Sequence, residues 1–173
     1  MKIAFKLNFR LIAIHLLASL FLLIAAKRFA LLYDFEFVES LYKYGYPEFI
    51  KHLHTENDTI TMGERMATTI LAIAIANLIA LVTSFSYSLF ISIKRKAFWL
   101  NSFLVLLICY SINILSLLDI SIIKSTTNIV GNIFISYGLK YAIIINGIFN
   151  LLISVFLFFN KRIIRFIFMQ KIT

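Results

Sequence analysis

His15 and Ser19 come nearest to a catalytic pair in this chain: one helical turn apart, an imidazole and a hydroxyl could meet as base and nucleophile. A Ser–His hydrolase also needs an oxyanion hole and an orienting third group, and no G-x-S-x-G or comparable turn is present to supply them. Arg10 and His15 have an R-x4-H spacing found in some nucleases, but they border and occupy an apolar run that RNA cannot enter. Glu48, His52 and His54 could gather a metal ion, Glu48 and His52 being one turn apart. A third well-spaced ligand is missing, so a solvated surface is the default. Paired carboxylates, HExxH and Gly-rich phosphate loops are absent from the sequence. The expectation is a non-enzymatic chain with no catalytic residue, no cofactor and no metal.

The elements that must position these groups are apolar runs. Four of them, near residues 8–33, 66–93, 97–118 and 141–159, approach or exceed the roughly 20 helical residues that cross a hydrocarbon core of ~30 Å. With 173 residues, 61% hydrophobic and 14% charged, the chain has too little polar surface to coat a water-soluble globule. The fold class is therefore an all-α integral membrane protein, a four-transmembrane-helix bundle with short interfacial helices, in one domain over residues 1–173. Lys27 and Arg28 stand where a signal peptidase site would be expected, so the first run reads as a retained span, its helix continuing to Tyr33 while both cations snorkel.

Charge orients the bundle. Ten of the 17 Lys and Arg residues fall in three clusters free of acid: Lys2, Lys6 and Arg10; Lys94, Arg95 and Lys96; and Lys161, Arg162, Arg165 and Lys171. Seven of the eight acidic residues lie in the connection 34–65. The positive-inside rule then places both termini and the middle turn in the cytoplasm of a bacterial-type inner membrane, with Lys94, Arg95, Lys96, Lys161, Arg162 and Arg165 against anionic headgroups. Clusters of three or four cations beside a span fit lipid rather than nucleic acid.

The connections carry their own signals. Residues 34–65 mix acids with aromatics and read as one or two short surface helices, with Pro47 at an N1 position. Thr61 and Glu64 form a capping box ahead of the second span. The segment 119–140 reads as interfacial or shallowly re-entrant, and the tail 160–173 as an inner-leaflet helix. Asn57-Asp58-Thr59 is a glycosylation sequon, meaningful only in a eukaryotic secretory pathway.

Within the spans, small and polar residues recur at helical spacing. Thr68, Ala72, Ala76, Ala80, Ser84, Ser88 and Ser92 form a ladder that admits close approach of a neighbouring helix. Ser102, Cys109, Asn113 and Ser116 stripe the third span; Ala142, Asn146, Asn150 and Ser154, beside Gly147, stripe the fourth. With His15 and Asn77, these asparagines are expected to hydrogen-bond across helices, or else to line a polar pathway. The single cysteine, Cys109, rules out a dithiol oxidase that works through paired thiols. The carboxylate-free membrane cores disfavour a proton-coupled exporter of the four-helix multidrug type.

This architecture resembles that of immunity proteins against pore-forming colicins, which are also small four-span chains. The resemblance implies a small inner-membrane accessory or regulatory protein that acts through helix–helix contacts with a membrane protein or with further copies of itself. The rival class is a homo-oligomeric channel, or a pore-forming effector or regulator of a bacterial defence system; a lipid-modifying or proteolytic membrane enzyme is the third.

Overall fold

The computed structural model describes residues 7–55, 59–117 and 133–168, with side chains over all of these except 46–62 and 115–117. Regular structure among them is helical: α1 (Phe9–Ala30), α2 (Phe35–Thr55), α3 (Thr59–Lys94), α4 (Leu100–Leu117), a 3-10 turn (Ile135–Tyr137), α5 (Leu139–Phe159) and α6 (Lys161–Phe168). Three helices are long and apolar enough to cross a membrane: α1, α3 from Gly63 onward, and α5. The fourth expected span, α4, has 18 residues, about 27 Å at 1.5 Å per residue, and its described apolar stretch is the shorter Leu100–Ile114.

Boundaries differ from the sequence reading where caps compete. Helix α1 ends at Ala30 rather than Tyr33. The amides of Leu32 and Tyr33 donate to Phe29 O and Ala30 O, both at 3.1 Å, and Asp34 Oδ1 then accepts from Phe37 N at 3.3 Å to open α2. An Asp acting as an N-cap needs non-helical backbone, so it stops one helix in order to start the next. Helix α2 is broken at Gly45, whose φ of 68° and ψ of 161° leave the helical region. Helix α3 is described from Thr59, and Thr61 and Glu64 lie within it rather than at a cap.

The turn from α3 to α4 is a Schellman-type stop. Ala97 N donates to Ser92 O at 2.8 Å and Lys96 N to Ile93 O at 3.0 Å, which places Lys96 at the left-handed position with φ 54°. Glycine is the usual occupant there; a side chain costs about 1–2 kcal/mol. Asn160 Oδ1 accepts from Arg162 N at 2.8 Å and Ile163 N at 3.3 Å, capping α6.

Helix α1 is the hub. It packs on α5, α3 and α4, while α3 and α4 pack on each other as an antiparallel hairpin and α5 reaches α3 through Tyr87. Leu23, Ala80, Leu81 and Cys109 form one apolar layer across α1, α3 and α4. Against α5 the approach is closer still: a Cβ built on Gly147 would stand 3.0 Å from the Phe29 ring and 3.4 Å from Arg28 Cβ. The distribution of polarity is the reverse of a soluble protein's. Buried positions include His15, Asn101, Asn146, Asn150 and six serines, whereas Ile70, Leu71, Leu78, Ile79, Phe90, Leu152, Phe156 and Phe159 are exposed.

Along the α3 ladder, Ala80, Ser84, Ser88 and Ser92 are buried, Ala72 and Ala76 half-buried, and Thr68 exposed. Replacing Ala80, 4% exposed, by Leu is expected to cost about 1–3 kcal/mol by overpacking. Leu at Ile75, 48% exposed, should change stability by no more than about 0.5 kcal/mol, and Ala76→Leu should fall between. Thermal unfolding in detergent measures all three; equal losses would show that the ladder is not the packed face.

Candidate functional site

The polar side chains gather in three places along the bundle. At the end where α1 begins, Asn8 and Asn101 tie three elements together. Asn8 N donates to Asn101 Oδ1 at 2.9 Å, Asn8 Nδ2 donates to Ile167 O at 3.0 Å, and Asn8 Oδ1 caps α1 by accepting from Leu11 N at 3.1 Å. Asn101 is fully buried, and its amide also donates to Phe98 O at 2.7 Å. Arg10 donates to Phe166 O at 3.3 Å with its guanidinium 4.8 Å from the Phe166 ring centroid, and Arg95 lies 5.9 Å from that of Phe168. The start of α1, the α3–α4 turn and α6 are thereby fixed to one another.

One to two turns further along, a hydrogen-bonded chain crosses three helices. His15 Nδ1 lies 2.7 Å from Ser88 Oγ, Ser88 donates to Ser102 Oγ at 3.0 Å, and Ser102 and Ser92 are 2.9 Å apart. His15 Nε2 has no hydrogen-bond partner among the described residues, and Phe158 meets the ring edge-on at a centroid distance of 5.5 Å. Ser19, one turn from the imidazole, donates to His15 O at 2.7 Å, the ordinary back-bond of a helical serine. Ser154 binds Ala18 O at 2.8 Å and joins α5 to the hub.

The third place is the layer beyond Leu23. Asn77, Asn113, Asn146 and Asn150 are all buried, and Asn150 Nδ2 donates to Asn146 Oδ1 at 2.6 Å and to Asn146 O at 2.7 Å within α5. Asn77 Oδ1 and Thr69 Oγ1 have no hydrogen-bond partner among the described residues. Of the cations expected to meet headgroups, Lys94, Arg95, Lys96, Lys161, Arg162 and Arg165 are all exposed. Glu48, His52 and His54 have side chains outside the described set, as do Asn57 and Ser116, and no group of His, Cys, Asp or Glu suited to a metal occurs among the described residues.

At the opposite end, Arg65 clamps α2 to α3. Its Nε donates to Asp34 Oδ2 at 2.7 Å, a second nitrogen bonds Oδ1, and Glu36 stands 3.6 Å away. The Arg65 hydrogen bonds hold the Asp34 carboxyl below its ordinary value of 3.8. A carboxylate depressed in this way adds stability above its unfolded value, and the contribution drains away as pH falls through the lowered folded value. With Arg65 38% exposed, solvent screening keeps the contribution to about 1 kcal/mol. Wild type should therefore lose about that much more than Arg65→Gln between pH 6 and pH 3, read by thermal unfolding; parallel losses would show that the clamp contributes nothing.

What these arrangements can do follows from access. The Ser88–His15 pair has hydrogen-bonding distance but both members are fully buried, so no substrate reaches the hydroxyl without the helices parting. The networks join helices. No protein-family model matches the chain, and no curated protein or solved structure is significantly similar to it.

Proposed function

We propose that this chain is a four-span protein of a bacterial-type inner membrane, with both termini cytoplasmic, and that it works as a non-enzymatic accessory subunit through helix–helix contacts with a membrane partner. The observation that carries the reading is the inverted distribution of polarity: polar side chains face helices of the same chain, and large apolar side chains cover the outside. Helix α4, described over Leu100–Leu117, is the fourth span.

The partner-facing surface is the exposed side of α3, the least covered of the three long helices, where Ile70, Leu71, Ile75, Leu78, Ile79 and Val82 form a continuous apolar face. The channel alternative loses support because Asn77, Asn113, Asn146 and Asn150 point into a single chain rather than toward a shared lumen. Light scattering of the purified protein, followed by ion flux in liposomes, tests the reading. A protein that scatters as a monomer and carries no flux supports it, whereas selective conductance altered by Asn146→Asp would replace it with a channel.

A further inference from the structure

We propose that the basic end of the bundle is a built site for an anionic glycerophospholipid, its phosphodiester held between the α3–α4 turn and α6. The inference rests on the membrane reading above and names a ligand for it. Arg10, Lys94, Arg95, Lys96, Lys161, Arg162 and Arg165 share this end, and no Asp or Glu stands among the described residues there. A positive surface of that kind is completed by a negative one, and an inner leaflet supplies it where the spans end.

The site is organised rather than diffuse. On α6, Lys161, Arg162 and Arg165 lie on the side opposite Ile167, which is 2% exposed and seats the helix. The Asn8–Asn101 knot and the Arg95–Phe168 contact hold α6 against the turn, so the two sets of cations keep a fixed relation without the ligand. Lys96 gives the sharpest indication. It occupies the left-handed position that glycine would fill with less strain, and what the lysine adds in return is an exposed positive charge at the rim.

Trp99, the chain's one tryptophan and 53% exposed, follows the turn directly and serves as a local probe. The full chain in phosphatidylcholine nanodiscs is titrated with acyl-brominated phosphatidylglycerol, or with acyl-brominated phosphatidylcholine as control, and Trp99 quenching is read. The anionic lipid should quench half-maximally at a mole fraction about fivefold lower, the equivalent of about 1 kcal/mol. Lys96→Gly should raise the melting temperature by about 2–4 °C as strain is relieved, yet lose most of the lipid preference. Arg95→Gln should lose preference as well.

Equal quenching by the two lipids, or a preference that survives in Lys96→Gly, overturns the site while leaving the membrane reading intact. Quenching by neither lipid overturns both. Inorganic phosphate added at millimolar concentration should not relieve quenching by the anionic lipid; relief would identify a site for a soluble anion and overturn the lipid assignment.

Discussion

Asn101→Leu should be among the most damaging single substitutions in this chain, lowering stability by about 2–5 kcal/mol. The side chain is fully buried and answers two backbone groups from different elements, the Asn8 amide at the start of α1 and the Phe98 carbonyl in the turn before α4. Leucine is larger and overpacks the site at about 1–3 kcal/mol. It also leaves the Asn8 amide orphaned at about 1–3 kcal/mol, while the Phe98 carbonyl keeps only the backbone N–H of residue 101, at 3.1 Å. The loss should extend to α6, since the Asn8 side chain that holds Ile167 O is positioned by the same knot. Thermal unfolding in detergent measures the first effect and faster proteolysis after Lys161 or Arg165 the second. Wild-type behaviour in both assays would show that the knot is incidental.

Ser88→Leu should be comparably severe. Ser88 is fully buried where α1, α3 and α4 meet, so a larger side chain overpacks the site at about 1–3 kcal/mol and strips His15 Nδ1 and Ser102 of their shared partner. Leu at Ser86, exposed on the same helix, is the matched control and should be nearly silent. His15→Leu should cost less than Ser88→Leu, because it removes an imidazole whose Nε2 is already unanswered while Ser88 keeps Ser102. The ranking Ser88→Leu above His15→Leu above Ser86→Leu, in melting temperature, is the expected result; a His15→Leu loss matching that at Ser88 would put the imidazole at the centre of the network.

The stripes that periodicity picked out are buried only in part: Thr68 is exposed and Ala72 and Ala76 are half-buried. Ala80, Ser84 and Ser88 on α3, Cys109 and Asn113 on α4, and Ala142, Asn146, Asn150 and Ser154 on α5 all lie inside, because a spacing of three or four residues fixes which side chains share a helical face. Periodicity says nothing about which face meets which. His15 could be seen as a polar group within a span, but its partner lies 73 positions away on another helix, and the nearer candidate, Ser19, turns to the backbone instead. Asn8 and Asn101 were missed for a related reason. They sit at helix starts, where asparagine is ordinary, and only the meeting of α1 with α4 gives them a common task. Helix ends are the least legible, since Asp34 offers cap chemistry as good as a continuation of α1 to Tyr33.

The central position of α1 governs the order in which the bundle can be put together during synthesis. As the first of these helices to leave the ribosome, α1 is complete while each surface it will use is still unmade. Its His15 waits for Ser88, its Ala18 carbonyl waits for Ser154, and its Asn8 waits longest, for Ile167. Each later helix therefore meets a finished template rather than an unformed partner, and the pairing sequence follows the direction of translation. A ribosome stalled after α4 would leave α1, α3 and α4 with the Ala18 carbonyl and the close-packing surface around Phe29 still waiting for α5.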